Sequence, residues 1–202
     1  MRTEKVIACL FVIGLLFKFV LHFPGGGVIL VVSLMLLSLV YCPLAFYFFS
    51  DKEIKKQNLA LSIVAGMFLG LVPMGILFKI MYWTGADRYL FICSITVPII
   101  LGAIYYLKNK ASVELATYYK NMLMRTFVLA FVTAVFYLTS TETLIHIQEG
   151  KDPELARLKT LSYTNPQNEE YAKQLEDYEM KKDSIYRSEV MKEDSIYTNQ
   201  HK

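Results

Sequence analysis

Gly14-Leu-Leu-Phe-Lys-Phe-Val-Leu-His-Phe-Pro-Gly25 is the stretch from which the rest of the chain can be read, because it returns once, as Gly75-Ile-Leu-Phe-Lys-Ile-Met-Tyr-Trp-Thr-Gly85. Gly14, Leu16, Phe17 and Lys18 match Gly75, Leu77, Phe78 and Lys79. One extra residue in the first copy then sets His22, Phe23 and Gly25 opposite Tyr82, Trp83 and Gly85. In each copy an apolar helix runs into a lysine, an aromatic pair and a glycine turn, the pattern of a membrane hairpin with its tip at the lipid–water interface. Two copies are too few for a solenoid.

The flanking sequence fits that pattern. Of 202 residues, 54% are hydrophobic and 19% charged, with a mean hydropathy of +0.37, too apolar for a soluble domain of this size. Five stretches approach the roughly 20 apolar residues needed to cross a bilayer: residues 5–23, 28–49, 59–83, 89–107 and 126–138. The last is the shortest, and its neighbours extend it to about 122–140. The expected fold is therefore an all-α polytopic integral membrane protein with five transmembrane helices, or four if the fifth lies flat. Two tandem hairpin repeats occupy residues 5–49 and 59–107. Pro43, Pro73 and Pro98 fall within spans two, three and four, where they free a carbonyl and kink a helix. Residues 111–121 read as a short interfacial helix.

Charge separates a membrane part, residues 1–146, from a soluble helical tail, residues 147–202. The first holds twelve Lys or Arg and six Asp or Glu; the second holds nine and twelve. Arg2 and Lys5 precede span one, Lys52, Lys55 and Lys56 separate spans two and three, and Lys108, Lys110, Lys120 and Arg125 separate four and five. Basic residues mark the cytoplasmic side. The expected orientation thus has the amino terminus cytoplasmic and, for five spans, the tail outside; four spans would put the tail in the cytoplasm. In the tail, Asp152-Pro153 and Asn165-Pro166 are cap-then-proline helix starts. Met180-Lys-Lys-Asp-Ser-Ile-Tyr186 recurs eleven residues later as Met191-Lys-Glu-Asp-Ser-Ile-Tyr197, so Leu175, Tyr186 and Tyr197 share one helix face.

Several function classes lack their chemistry. No Asp or Glu occurs between Lys5 and Ser50, between Ile54 and Ala86, or between Tyr89 and Val113, whereas proton-coupled machines place a carboxylate within the bilayer. Cys9, Cys42 and Cys93 sit in apolar runs without metal-ligand spacing and read as buried small hydrophobes. His22, His146 and His201 have no motif around them, and neither a nucleophile elbow nor a phosphate loop is present. The expectation is no enzyme, no cofactor, no metal site and no nucleic-acid partner.

What remains is a set of candidate interaction residues. Lys18 and Lys79 lie inside spans near the turns, where a lysine ordinarily snorkels to the surface. The alternatives are pairing with an acid of a partner helix, binding an anionic lipid headgroup, or holding the turn by its carbonyls. His22 and Trp83 stand beside them. Gly66 and Gly70 give span three a small-residue face, for contact within the chain or in a homo-oligomer.

The Leu-Phe-Lys, aromatic or histidine pair and glycine turn resemble the membrane hairpin of the GldL family, the gliding-motility and type IX secretion motor subunit of Bacteroidetes. The resemblance covers residues 14–49 and again 75–107. It implies a hairpin scaffold in an envelope complex of the bacterial inner membrane, in which the amino terminus is cytoplasmic and a tail outside is periplasmic. That family carries a glutamate in the helix after the turn, and both helices here lack it, so torque generation is not implied. The expected function is a non-enzymatic subunit or accessory protein whose partners are membrane lipids and another membrane or envelope protein. A small transporter or channel, built from tandem repeats with kinked spans, is the alternative.

Overall fold

The computed structural model describes residues 2–23, 25–42 and 59–200. Among them every regular element is a helix: α1 Arg2–Leu15, continued by a π-helical segment Leu16–Val20, then α2 Gly26–Tyr41, α3 Leu59–Ile80, α4 Ala86–Lys110, α5 Val113–Leu138, α6 Thr141–Gln148, α7 Pro153–Thr164 and α8 Glu169–Gln200. Pro24, Pro43 and the lysines at 52, 55 and 56 lie outside the described residues, as does the end of the first expected hairpin.

Three helical stretches are long and apolar enough to cross a membrane: Ala60–Ile80, Ala86–Lys110 and Leu115–Leu138; Gly26–Tyr41 is apolar but shorter. Pro73 and Pro98 each sit inside an uninterrupted helix. Residues 111–121 do not form a helix of their own. Beyond Ser112 they open α5, a single helix of 26 residues. The first four helices and α5 pack in chain order, each against the next, with a further contact between α3 and α5. Leu30, Leu69, Val72, Leu90, Val97 and Ile104 are fully buried at their centre. Exposed large side chains such as Val28, Ile99, Phe131 and Leu138 cover the outside, as lipid-facing positions do.

The chain divides into two compact units, Met1–Leu144 and Ile145–Lys202. In the second, α7 opens on Asp152, whose carboxylate accepts from the Leu155 N–H at 3.0 Å, with Pro153 as the first helical residue. Asn165 closes α7 rather than opening the next helix. The Pro166-Gln167 turn follows, and Asn168 caps α8 by accepting from the Glu170 N–H at 3.0 Å. The start of α8 packs on α7. Asp152 joins them: it accepts from the Tyr178 hydroxyl at 3.0 Å and pairs with Lys182 at 2.8 Å. Lys182 first, then the Leu155 N–H, hold the Asp152 carboxyl down at about 2. The same contact raises the Lys182 ammonium above its ordinary value.

Candidate functional site

The two matching stretches make their turns with matching bonds. The Phe17 carbonyl accepts from the Phe23 N–H at 2.8 Å, and the Phe78 carbonyl from the Trp83 N–H at 2.9 Å. The next helix is joined in the same way, by Gly26 N–H to Phe23 O at 2.9 Å and Ala86 N–H to Trp83 O at 3.2 Å. Phe17 and Phe23 pack at 5.9 Å between ring centres, and Phe78 and Trp83 at 4.9 Å. His22 and Tyr82, aligned by sequence, are the two described non-glycine residues with positive φ, 50° and 55°. The second turn is a Schellman closure, completed by Tyr82 N–H to Lys79 O at 3.2 Å. The first has one residue more, and the π-helical segment Leu16–Val20 takes it up, a single-residue widening typical of such segments.

Glycine lets the arms meet behind each turn. A Cβ on Gly14 would come within 3.0 Å of Leu30, and one on Gly75 within 3.0 Å of Leu90.

The lysines differ. Lys79 does not snorkel: its side chain is 1% exposed, and its ammonium lies 2.6 Å from Asp87 Oδ1 in the first turn of α4. Thr141, at the start of α6, donates to Asp87 Oδ2 at 3.4 Å. Asp87 is half exposed, so one end of the pair reaches the surface while the other is desolvated. An acid at a helix amino terminus is itself favoured by the helix dipole. Sequence reasoning missed this partner because it looked for acids within spans; the signal was an Asp just past the turn that follows a lysine. Lys18 is half-buried, and the first copy has Gly27 where the second has Asp87, so this ion pair belongs to the second turn alone.

The remaining candidates scatter. Trp83 is exposed apart from its ring contact, and the half-buried His22 sets Nδ1 3.2 Å from the Val20 carbonyl oxygen. Gly66 is buried. Gly70 is occupied within the chain: a Cβ there would lie 2.8 Å from Cys42, and its carbonyl accepts from the Ser38 hydroxyl at 2.9 Å. Cys93 is buried, but Cys9 and Cys42 are exposed, so the reading of all three as buried hydrophobes holds only for Cys93.

At the end of the bundle opposite the turns a second polar cluster forms, from residues with no local signal. Arg125, expected in a loop, lies well inside α5, with its guanidinium 3.1 Å from Glu4 Oε2. The Tyr41 hydroxyl donates to Glu4 Oε1 at 2.6 Å. Glu4 and Arg125 are 12% and 14% exposed. The three tie α1, α2 and α5 together and, with Ala8, Phe11, Leu34, Leu37 and Val128, line a mainly apolar cleft of about 540 Å³. The cluster fastens helices and holds charge at one level of the bundle.

No protein-family model, curated protein or solved structure matches this chain. Among the described residues the fold defines an all-helical protein with three helices long and apolar enough to cross a membrane and a second compact helical unit at its carboxyl end.

Proposed function

We propose that this chain is a non-enzymatic subunit or accessory protein of a bacterial envelope complex. It sits in the inner membrane through two tandem hairpins and a fifth span, and its tail docks a periplasmic partner. The GldL-like hairpins place it, in this reading, near gliding or secretion machinery. Support for the tandem repeat comes from the matched turn bonds, ring pairs and glycine contacts described above.

The observation that carries the docking role is the length of α8. Its 32 residues span about 48 Å, whereas the 12 residues of α7 span about 18 Å. Roughly 30 Å of α8 therefore extends past anything α7 can cover. Along it, Ile185, Tyr186 and Met191 are 49%, 64% and 72% exposed. Isolated charged helices are marginal in water, and apolar side chains displayed along one are characteristic of a contact surface.

A photo-reactive residue at Tyr186, illuminated in native membranes before gentle-detergent purification, tests the reading. A defined cross-linked protein is expected. Recovery of the monomer alone rejects it.

A further inference from the structure

Between α4 and α5 runs an open groove of about 630 Å³, within the roughly 300–1,000 Å³ of ordinary ligand sites. Pro98, Gly102, Tyr105 and Lys108 line it from α4, and Lys120 and Phe127 from α5. Because α4 ends at Lys110 and α5 begins at Val113, Lys108 and Lys120 are the lining residues of each helix nearest the connection, and Pro98 and Phe127 are the farthest from it. From Pro98 to Lys108 the α4 wall is about 15 Å long at the helical rise, and from Lys120 to Phe127 the α5 wall is about 10 Å. Gly102 forms a notch: a Cβ built there meets nothing within 4 Å. Tyr105 and Phe127, 57% and 58% exposed, flank it. Among the described residues the lining carries two lysines and no acid. Lys110 is engaged elsewhere, its ammonium 4.4 Å from the centre of the Tyr106 ring.

We propose that this groove is a binding site for one anionic glycerophospholipid, with an acyl chain lying along Pro98, Gly102 and Phe127 and the phosphate held between Lys108 and Lys120. Two observations select that occupant. The walls belong to two of the helices apolar enough to cross a membrane, so a lipid is the neighbour already there. The charge at the polar end is positive on both sides, complementary to an anionic headgroup. Orientation in the membrane explains why lysines collect at this end. It does not require two of them to face one groove beside a glycine notch. The site stands independently of the envelope-complex reading.

The test uses the full chain in mild detergent, titrated with phosphatidylglycerol or phosphatidylethanolamine and followed by native mass spectrometry. One phosphatidylglycerol per chain is expected to bind in preference to phosphatidylethanolamine. Lys108→Gln with Lys120→Gln lowers the phosphatidylglycerol affinity about ten-fold or more and leaves phosphatidylethanolamine unchanged. Gly102→Leu fills the notch and lowers occupancy by both lipids about ten-fold. Its side chain meets open space, so its melting temperature stays at or above the parent value. Equal binding of the two lipids, undiminished binding by the double variant, or full occupancy in Gly102→Leu overturns the proposal, as does capture of a protein by a photo-reactive group at position 102.

Discussion

In the first turn Gly26 lies against the backbone of Phe17 and Lys18, while in the second Ala86 takes the equivalent place with its methyl group buried. Both turns keep the same carbonyl acceptor, the same ring pair and the same positive-φ position. They differ in how the arms are locked. The widened π-helical backbone of the first presses on α2 and leaves room only for glycine. The regular helix end of the second leaves space for a methyl group and brings a lysine to an aspartate. Backbone closure and charge pairing are thus separable, and one sequence pattern supports two locks.

The largest expected effect breaks the first lock. Gly26→Ala sets a Cβ 2.6 Å from the Lys18 nitrogen, a backbone contact with no flexible neighbour to yield, and costs about 3 kcal/mol. Gly27→Ala, one residue on, meets nothing within 4 Å and stays within about 0.5 kcal/mol. Unfolding in a denaturing detergent measures both; equal losses at the two positions would show that the close approach has no energetic weight.

The second lock is broken by Asp87→Asn, which leaves the Lys79 ammonium buried against a neutral amide. The expected loss is about 2 kcal/mol, below the usual 3–5 for a buried pair because Asp87 is half exposed. Lys79→Met with Asp87→Asn is expected to recover most of it. A double-mutant cycle reads the coupling; additive losses would mean that the two groups do not act as a pair.

A smaller effect separates packing inside the chain from packing between chains. Gly70→Ala meets Cys42 at 2.8 Å and lowers stability by about 1–2 kcal/mol. If Gly70 instead served a homo-oligomer, the substitution would change the sedimenting mass and spare the monomer's stability.

The smallest effect lies in the tail. Asp152 moves from an ordinary 3.8 to about 2 in the folded chain, so its contribution is complete above the ordinary value and is lost as pH falls through about 2. Lys182 is raised above 10.5; its contribution is complete below that value and disappears as pH rises through the folded one. Protection factors of the α7 amides in the full chain, corrected for the intrinsic exchange rate, should therefore fall below about pH 4. Asp152→Asn keeps an N-cap residue, loses the ion pair, costs less than about 1 kcal/mol and removes the acid dependence. Persistence of that dependence in the variant would assign it to another group.

Much of this architecture is local in origin and therefore legible. Hydropathy marks Leu59–Ile80 and Ala86–Lys110 because a span must be apolar along its whole length. Asp152-Pro153 announces α7 because the cap and the fixed proline φ act within one turn. The alignment of His22 with Tyr82 identified two positions that share a positive φ. Asn165-Pro166 misled, since Asn168 offered the same capping chemistry three residues later. Residues 111–121 misled too, because their mixed charge draws attention from the absence of any Gly or Pro between Val113 and Leu138, which lets α5 run through.

The sequence by itself determined that the chain is helical, that its first part suits a membrane and its last part water, and where one turn chemistry occurs twice. Those properties depend on residues within a few turns of one another. Only the tertiary structure decided that Lys79 is buried on Asp87, that Gly70 serves Cys42, and that Glu4 and Arg125 meet across 121 positions of chain. Periodicity assigns a residue to a helix face. Which face meets which neighbour depends on side-chain packing across the whole bundle, and no local pattern encodes it.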